Sequence, residues 1–299
     1  MANVLNLIAN PARSPIGDAA AEQARRAVED AGGAPAGADW LSPGEALDLP
    51  FSGDPAAVLS AARAAFRDIP VDVNVVAVEK RRKRLLLADM DSTLIEQECI
   101  DELAAEIGVG ERVAAITERA MRGEIEFEPA LRERVALLEG LATAVTDKVL
   151  AERIRVTQGA PAAVATMRRH GAYAALVSGG FTVFAGPIAM RLGFDEFRAN
   201  QLIVSGETFA GRVNEPILGR EAKVEALRDL VARHGLDLSE TLAVGDGAND
   251  LGMIKLAGLG VAYRAKPAVR AEAAAAIEHG DLTGLLFLQG YRREEFAEG

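Results

Sequence analysis

Two aspartates one residue apart, Asp89 and Asp91, follow directly on the apolar run Leu85-Leu86-Leu87-Ala88. The run is too short for a helix and has no polar alternation, so it reads as a buried parallel strand covered on both faces. Ligands of open α/β sheets sit beyond the carboxyl ends of such strands, and alternation along the strand would put both carboxylates on one side. Their repulsion calls for an offsetting charge, for which a hard divalent cation such as Mg²⁺ is the simplest candidate. Two more apolar runs end in polar groups. Residues 173–177 lead into Ser178-Gly179-Gly180, and residues 241–244 into Gly245-Asp246-Gly247-Ala248-Asn249-Asp250. If the three ends share one sheet edge, Asp89 and Asp246 can hold the cation together, with the Asp91 backbone carbonyl as a third oxygen ligand.

Ser178 and the Gly179 amide would then offer donors to phosphoryl oxygens, and Lys223, near the start of a helix, a positive charge. This inventory suits phosphoryl transfer through an aspartyl-phosphate. Asp89 would attack phosphorus; Asp91 would protonate the departing alkoxide and then take a proton from the hydrolytic water. Enzymatic accelerations of phosphate-monoester hydrolysis reach ~10²¹, so metal, lysine and backbone donors must act together. Each signal also has a plain structural reading. Asp91, Ser92 or Thr93 can cap a helix, Lys223 can be a solvated lysine, and Ser178-Gly179-Gly180 a flexible strand exit.

The elements that must position these groups fall into two domains. Residues 1–80 read as a small α/β module, with strands at 4–8, 38–41 and 71–78 and helices at 19–31 and 55–66, a pattern suggesting a ferredoxin-like sandwich. Residues 81–299 carry the chemistry. Strands at 85–88, 173–177, 241–244 and 259–262 alternate with helices at 161–170 and 220–234. A hairpin is expected from 198–204 and 208–213, turned at Gly206, and an alanine-rich helix at 271–277. Between the first two strands, apolar residues at helical spacing predict helices over 96–107, 111–122 and 127–138. These form an insertion at about 95–145, placed to act as a lid.

The chain has 299 residues, 49% of them hydrophobic, and a net charge of −11, which argues against a nucleic-acid binder. The basic run Lys80-Arg81-Arg82-Lys83-Arg84 reads as a solvated linker. Cys99 is the one cysteine, so no intrachain disulfide can form; a packing role in a reducing cytoplasm is expected. Neither a signal peptide nor a membrane span is expected. No G-x-x-x-x-G-K-[ST] loop is present, which removes the nucleotide-dependent kinases and ATPases that use one.

Asp89-Met90-Asp91-Ser92-Thr93, Ser178-Gly179-Gly180, Lys223 and Gly245-Asp246-Gly247-Ala248-Asn249-Asp250 resemble the four motifs of the haloacid dehalogenase superfamily phosphatases, over about residues 84–290. The likeness is nearest to those members that dephosphorylate phosphoserine in serine biosynthesis. It implies a Rossmann-like α/β core with a helical cap, Mg²⁺ dependence, Asp89 as nucleophile, and a phosphoserine-sized small-molecule substrate. Asn249 would lie beside the phosphate, with Gly180 and Asp250 supporting the site from behind. The only departure is Met90, where the family often has phenylalanine. In the cap, the resemblance implies Glu98, Met121, Phe127 and Arg134 around the amino-acid end of the substrate. Arg134 would fork onto its carboxylate and Glu98 pair its ammonium, while Phe127 and Met121 exclude water. Taken by themselves, the first two are helix-surface charges and the last two core residues. Residues 1–80 resemble amino-acid-binding ACT-like modules in size and element order, compatible with a regulatory ligand or a homodimer. Two other functions remain open at this point: phosphoryl transfer to another alcohol such as homoserine, and a non-catalytic amino-acid sensor.

Overall fold

The computed structural model describes residues 2–121 and 124–298. Six parallel strands make the central sheet, in the order β13-β12-β11-β6-β7-β8. At its middle lies β6 (Leu85–Ala88), between β7 (Tyr173–Phe181) and β11 (Thr241–Gly245). On one side β12 (Leu259–Tyr263) and β13 (Ala275–Ile277) extend the sheet, and on the other β8 (Glu196–Asn200). Every residue of β6, β11 and β12 is buried, which is why they read as unbroken apolar runs. Leu86, Ala88 and Val244 pack under α7 (Ala160–Arg169), α8 (Thr182–Leu192) and α12 (Gly284–Leu288). Leu85, Leu87 and Ala243 pack under α9 (Arg220–His234) and α10 (Leu251–Leu256).

Counted among themselves, these strands run 3-2-1-4-5-6, the Rossmann order, whose switch point falls between β6 and β11. There, connections leave in opposite directions and open a crevice at the carboxyl ends. The insertion between β6 and β7 covers it with α3 (Cys99–Glu106), α4 (Gly110–Met121), α5 (Phe127–Ala136) and α6 (Val145–Glu152). The first three are the expected helices; α6 is additional. The antiparallel hairpin β9 (Leu202–Ser205) and β10 (Thr208–Val213) joins this cap, since the Gly140 N–H donates to Phe209 and that of Phe209 to Leu141. Residues 198–204 are therefore not one hairpin strand: 196–200 belong to the main sheet and only 202–205 to the hairpin.

The expected alanine-rich helix at 271–277 is also corrected. Helix α11 (Pro267–Glu272) stops, and 275–277 become β13. The Asn74 side-chain amide donates to the Ala276 carbonyl (3.0 Å) and accepts its N–H (2.8 Å), serving as the neighbouring strand on that edge. Tertiary pairing overrides alanine's helix propensity.

The N-terminal sheet comprises β1 (Asn3–Ala9), β2 (Ala34–Pro35), β3 (Asp39–Ser42), β4 (Ala46–Ser52) and β5 (Val71–Ala77), all antiparallel, with α1 (Asp18–Asp30) and α2 (Pro55–Ala65) on one face. Both β2 and β3 pair with β4 as two halves of one interrupted strand, which yields the ferredoxin-like βαββαβ order. Strand β4 escapes a sequence reading because it contains Pro50. The Pro50 carbonyl accepts the Ala36 N–H, so its donor-less nitrogen faces the gap between β2 and β3, where no ladder bond is lost. The other sheet face, with Val4, Ile8 and Val76, joins the apolar core under the central sheet.

Residues 80–84 at the joint are a solvated linker only in part: Lys80, Arg82 and Arg84 are exposed, while Arg81 and Lys83 are tied into the structure. Arg81 forks onto Asp48 (2.5 and 2.9 Å), and the buried Lys83 ammonium donates to the Lys80 and Ser239 carbonyls. Among the described residues, no helix is long and apolar enough to cross a membrane.

Candidate active site

Asp89 leaves β6 at the switch point, its N–H still donating across to the Val244 carbonyl of β11 (3.0 Å). The chain then makes a single wide turn over Met90–Leu94, closed by the Ile95 N–H on the Met90 carbonyl (3.1 Å). Within it Asp91 is extended and Ser92 left-handed at φ 56°. For a non-glycine residue that conformation costs about 1 kcal/mol and needs support. The Ser92 N–H donates to Gln97 and its hydroxyl to Glu98 (2.8 Å), which ties the start of the cap to this turn. Asp91 accepts the Cys99 N–H (3.1 Å) at the first residue of α3, so it does serve a helix N-terminus, but eight residues away across the fold.

From β11, Asp246 and Asp250 join Asp89: one carboxylate oxygen of each lies within 4.8 Å of the others. Lys223, on α9 and fully buried, reaches Asp89 and Asp250, each at 2.6 Å. The second Asp250 oxygen accepts the Gly247 N–H (3.0 Å), and the Thr93 hydroxyl lies 3.4 Å from Asp246. Lys223 thus pairs with two of these acids, Asp89 and Asp250, while Asp246 and Asp91 stand close by. Burial alone would lower its pKa, but Asp250 and Asp89 outweigh that and hold it charged. Burial and Asp250 push Asp89 well above the carboxylate range. Burial and Asp250 likewise push Asp246 up to about 6. Asp91 is pushed up to about 7 by burial and by Glu98. An all-oxygen, charge-deficient cluster of this kind fits a hard divalent cation. Asp250 enters the cluster besides Asp89 and Asp246, while the Asp91 carboxylate stays on α3, which leaves its backbone as the expected donor.

Opposite, β7 leaves its ladder with β8 between Val177 and Phe181, which exposes the backbone of Ser178-Gly179-Gly180. The Ser178 hydroxyl accepts the Gly180 N–H (2.9 Å). Gly180 has no room for a side chain: a Cβ there would stand 2.6 Å from an Asp91 oxygen. The Asn249 carbonyl oxygen folds back over Gly247.

The cap closes the cleft from above. The Phe127 ring lies against Gly179 and Gly219, where added Cβ atoms would meet it at 3.3 and 3.4 Å. Yet it remains 37% exposed, which makes it a cleft wall and not a core residue. Arg134 is half-buried; its guanidinium donates to the Ala130 carbonyl (3.2 Å) and lies 3.5 Å from the Thr117 hydroxyl. Burial lowers its pKa, against the pull of the nearby acids Asp101, Glu98 and Asp91. Burial raises Glu98 despite its Ser92 hydrogen bond. The side chain of Met121 lies outside the described residues. Cys99 is buried and its thiol pKa is driven upward by desolvation and Asp91, which makes it inert packing. Thr93 on Asp246 and Ser92 on Glu98 are contacts that the sequence reading missed. Both sit inside the quoted motif, where hydroxyls after an acid read as helix caps.

The haloacid dehalogenase-like hydrolase family matches the chain over residues 86–255. The chain is 42% identical over 256 residues to a phosphoserine phosphatase of Streptomyces coelicolor, covering 85% of this chain and 62% of that protein. A phosphoserine phosphatase of Streptococcus thermophilus is 48% identical over 200 residues, 67% of this chain and 93% of the relative. The chain thus spans less than two thirds of the first relative and nearly all of the second. In three dimensions it resembles the crystal structure of a probable phosphoserine phosphatase from Vibrio cholerae, with a TM-score of 0.80 at 31% identity, covering 98% of this chain and 88% of that one.

Proposed function

The chain belongs to the haloacid dehalogenase-like hydrolases, and we propose that it hydrolyses O-phospho-L-serine to L-serine and phosphate. The observation that carries this is the pairing of two half-sites across one cleft. Asp89 bridged by Lys223 stands on the sheet; in the cap, Arg134 is half-buried with Asp101, Glu98 and Asp91 near enough to act on its charge, and Glu98 is tied by Ser92 to the turn after Asp89. Phosphoserine presents a phosphate at one end and a carboxylate and ammonium at the other, matching those charges in order.

In this reading Asp89 attacks phosphorus and becomes the aspartyl-phosphate. Asp91, with its pKa near 7, carries the proton that the departing serine alkoxide needs, and as a carboxylate then takes one from water. Ser178 and the Gly179 N–H donate to the phosphoryl oxygens, Asn249 lines the phosphate, and Lys223 keeps Asp89 oriented. Gly180 and Asp250 support them from behind. Arg134 binds the substrate carboxylate, Glu98 its ammonium, and Phe127 with Met121 keeps water out. Mg²⁺ held by Asp89, Asp246 and the Asp91 carbonyl would supply charge neutralisation at the phosphoryl oxygens. Residues 81–299 form the catalytic unit and residues 1–80 an ACT-like module; the free, buried Cys99 is in keeping with a cytoplasmic setting.

A phosphate-release panel tests the proposal, with phosphoserine, phosphothreonine, phosphotyrosine and sugar phosphates, each with and without Mg²⁺. Phosphoserine should lead and should require the metal. Equal rates across the panel would remove the substrate assignment. Phosphate appearing on an added alcohol such as homoserine would replace hydrolysis by transfer.

A further inference from the structure

The bulge that exposes Ser178-Gly179-Gly180 creates a problem: backbone groups off the ladder need other partners. The register runs Val177↔Arg198 and resumes at Phe181↔Asn200, so three residues of β7 stand opposite one of β8. The side chain of Asn200, only 3% exposed, fills this gap. Its amide nitrogen donates to the Gly179 carbonyl (2.8 Å) and the Leu218 carbonyl (3.1 Å), and its oxygen accepts the Leu218 N–H (2.7 Å). Two donors and an acceptor on one short side chain are what asparagine offers. Aspartate lacks the donors, and serine has only one.

The two segments joined here serve different parts of the site. Gly179 belongs to the stretch facing the phosphate. Leu218 lies just before Gly219 and the start of α9, whose first turns bring Lys223 to Asp89. The Phe127 ring rests on Gly179 and Gly219 alike, one glycine from each segment. One buried amide therefore joins the phosphate-facing backbone, the approach to the lysine helix and the seat of the cap's aromatic wall.

We propose that Asn200 is a positioning residue for phosphoryl transfer, fixing where the Gly179 N–H stands relative to the Lys223–Asp89 pair. This rests on the phosphatase reading above. Asn200 touches no substrate; it acts through the backbone it holds. Its sequence context, Arg198-Ala199-Asn200-Gln201, carries no motif that would single it out.

The test compares wild type, Asn200→Asp and Asn200→Ser as full-length, Mg²⁺-loaded enzymes on phosphoserine and p-nitrophenyl phosphate. Rates are expressed per folded molecule, from the unfolding midpoint and an acid-quenched phosphoenzyme burst. A displaced cradle should lower kcat by about 10- to 100-fold, since a misplacement of ~1 Å can have that effect. KM for phosphoserine should stay within about threefold, and the kcat loss should be shared by both substrates, because the phosphate end is common to them. Lowered midpoints with kcat per folded molecule near wild type would reduce Asn200 to a brace and overturn the proposal. So would a loss confined to phosphoserine, which would move its influence to the amino-acid end. Failure of the functional reading shows up elsewhere, as absence of phosphoserine turnover in wild type, and the aryl phosphate then still compares the variants.

Discussion

Two cations, the partly buried Arg81 and the fully buried Lys223, meet buried acids, and the molecule treats them differently. At the seam between the N-terminal module and the catalytic unit, Arg81 meets Asp48 one to one; the remaining donors reach the Phe287 and Leu288 carbonyls, and Asn6 completes Asp48. At the carboxyl edge of the sheet, Lys223 is shared by Asp89 and Asp250, with Asp246 and Asp91 close by. At the seam the charges are balanced, one cation to one acid. At the sheet edge the carboxylates outnumber the one lysine seen to pair with them, an arrangement held by the surrounding fold and able to take a cation. The first region serves stability alone; the second couples stability to the candidate chemistry.

If this contrast holds, Asp89→Asn should be the most damaging change to turnover, by at least about 10³-fold, as for other covalent nucleophiles. It should nevertheless leave the metal-free unfolding midpoint at or above that of wild type, because it removes one of the crowded charges. A clear drop in that midpoint would put Asp89 among the structural residues. Lys223→Ala should combine both effects. It strands buried carboxylates, lowers stability by about 3–5 kcal/mol in denaturant unfolding, and abolishes phosphate release.

Arg134→Ala acts at the far end of the cleft. Phosphoserine kcat/KM should fall by ~10²-fold or more, and that of p-nitrophenyl phosphate much less, because only the former offers a carboxylate. Equal losses would refute carboxylate recognition. Arg81→Ala, the seam's counterpart, should cost about 3 kcal/mol of stability by leaving the buried Asp48 without its cation, yet change kcat of the folded enzyme by less than about threefold.

The smallest effect is a proton count. Asp91 near 7 and Asp246 near 6 take up protons in metal-free protein at mildly acidic pH, and Asp89 is pushed in the same direction by burial and Asp250. A bound cation favours their charged forms, so Mg²⁺ binding should release protons, more at pH 6 than at pH 8. Calorimetry in buffers of different ionisation enthalpy reads this directly. Proton uptake, or no release at pH 6, would mean these acids are already ionised and the crowding argument is wrong.

What the sequence revealed follows the same division. Strands buried on both faces announce themselves as apolar runs, so β6, β7 and β11 and the polar groups at their ends were legible, and with them the site. Strand β4 was hidden by Pro50, tolerable only because its partner strand is interrupted there. Residues 275–277 read as helix because nothing local shows that Asn74, some two hundred residues away, completes their edge. The roles of Arg81 and Asn200 depend on partners far along the chain, and no spacing pattern encodes them.

One chemical fact underlies the whole account: a phosphoryl group must reside for a time on Asp89. Enzyme mixed with ³²P-labelled phosphoserine, quenched in acid within one turnover and digested, should yield label on the peptide containing Asp89 and none in Asp89→Asn. Full phosphate release from wild type with that peptide unlabelled, or with the label on another residue, would contradict it.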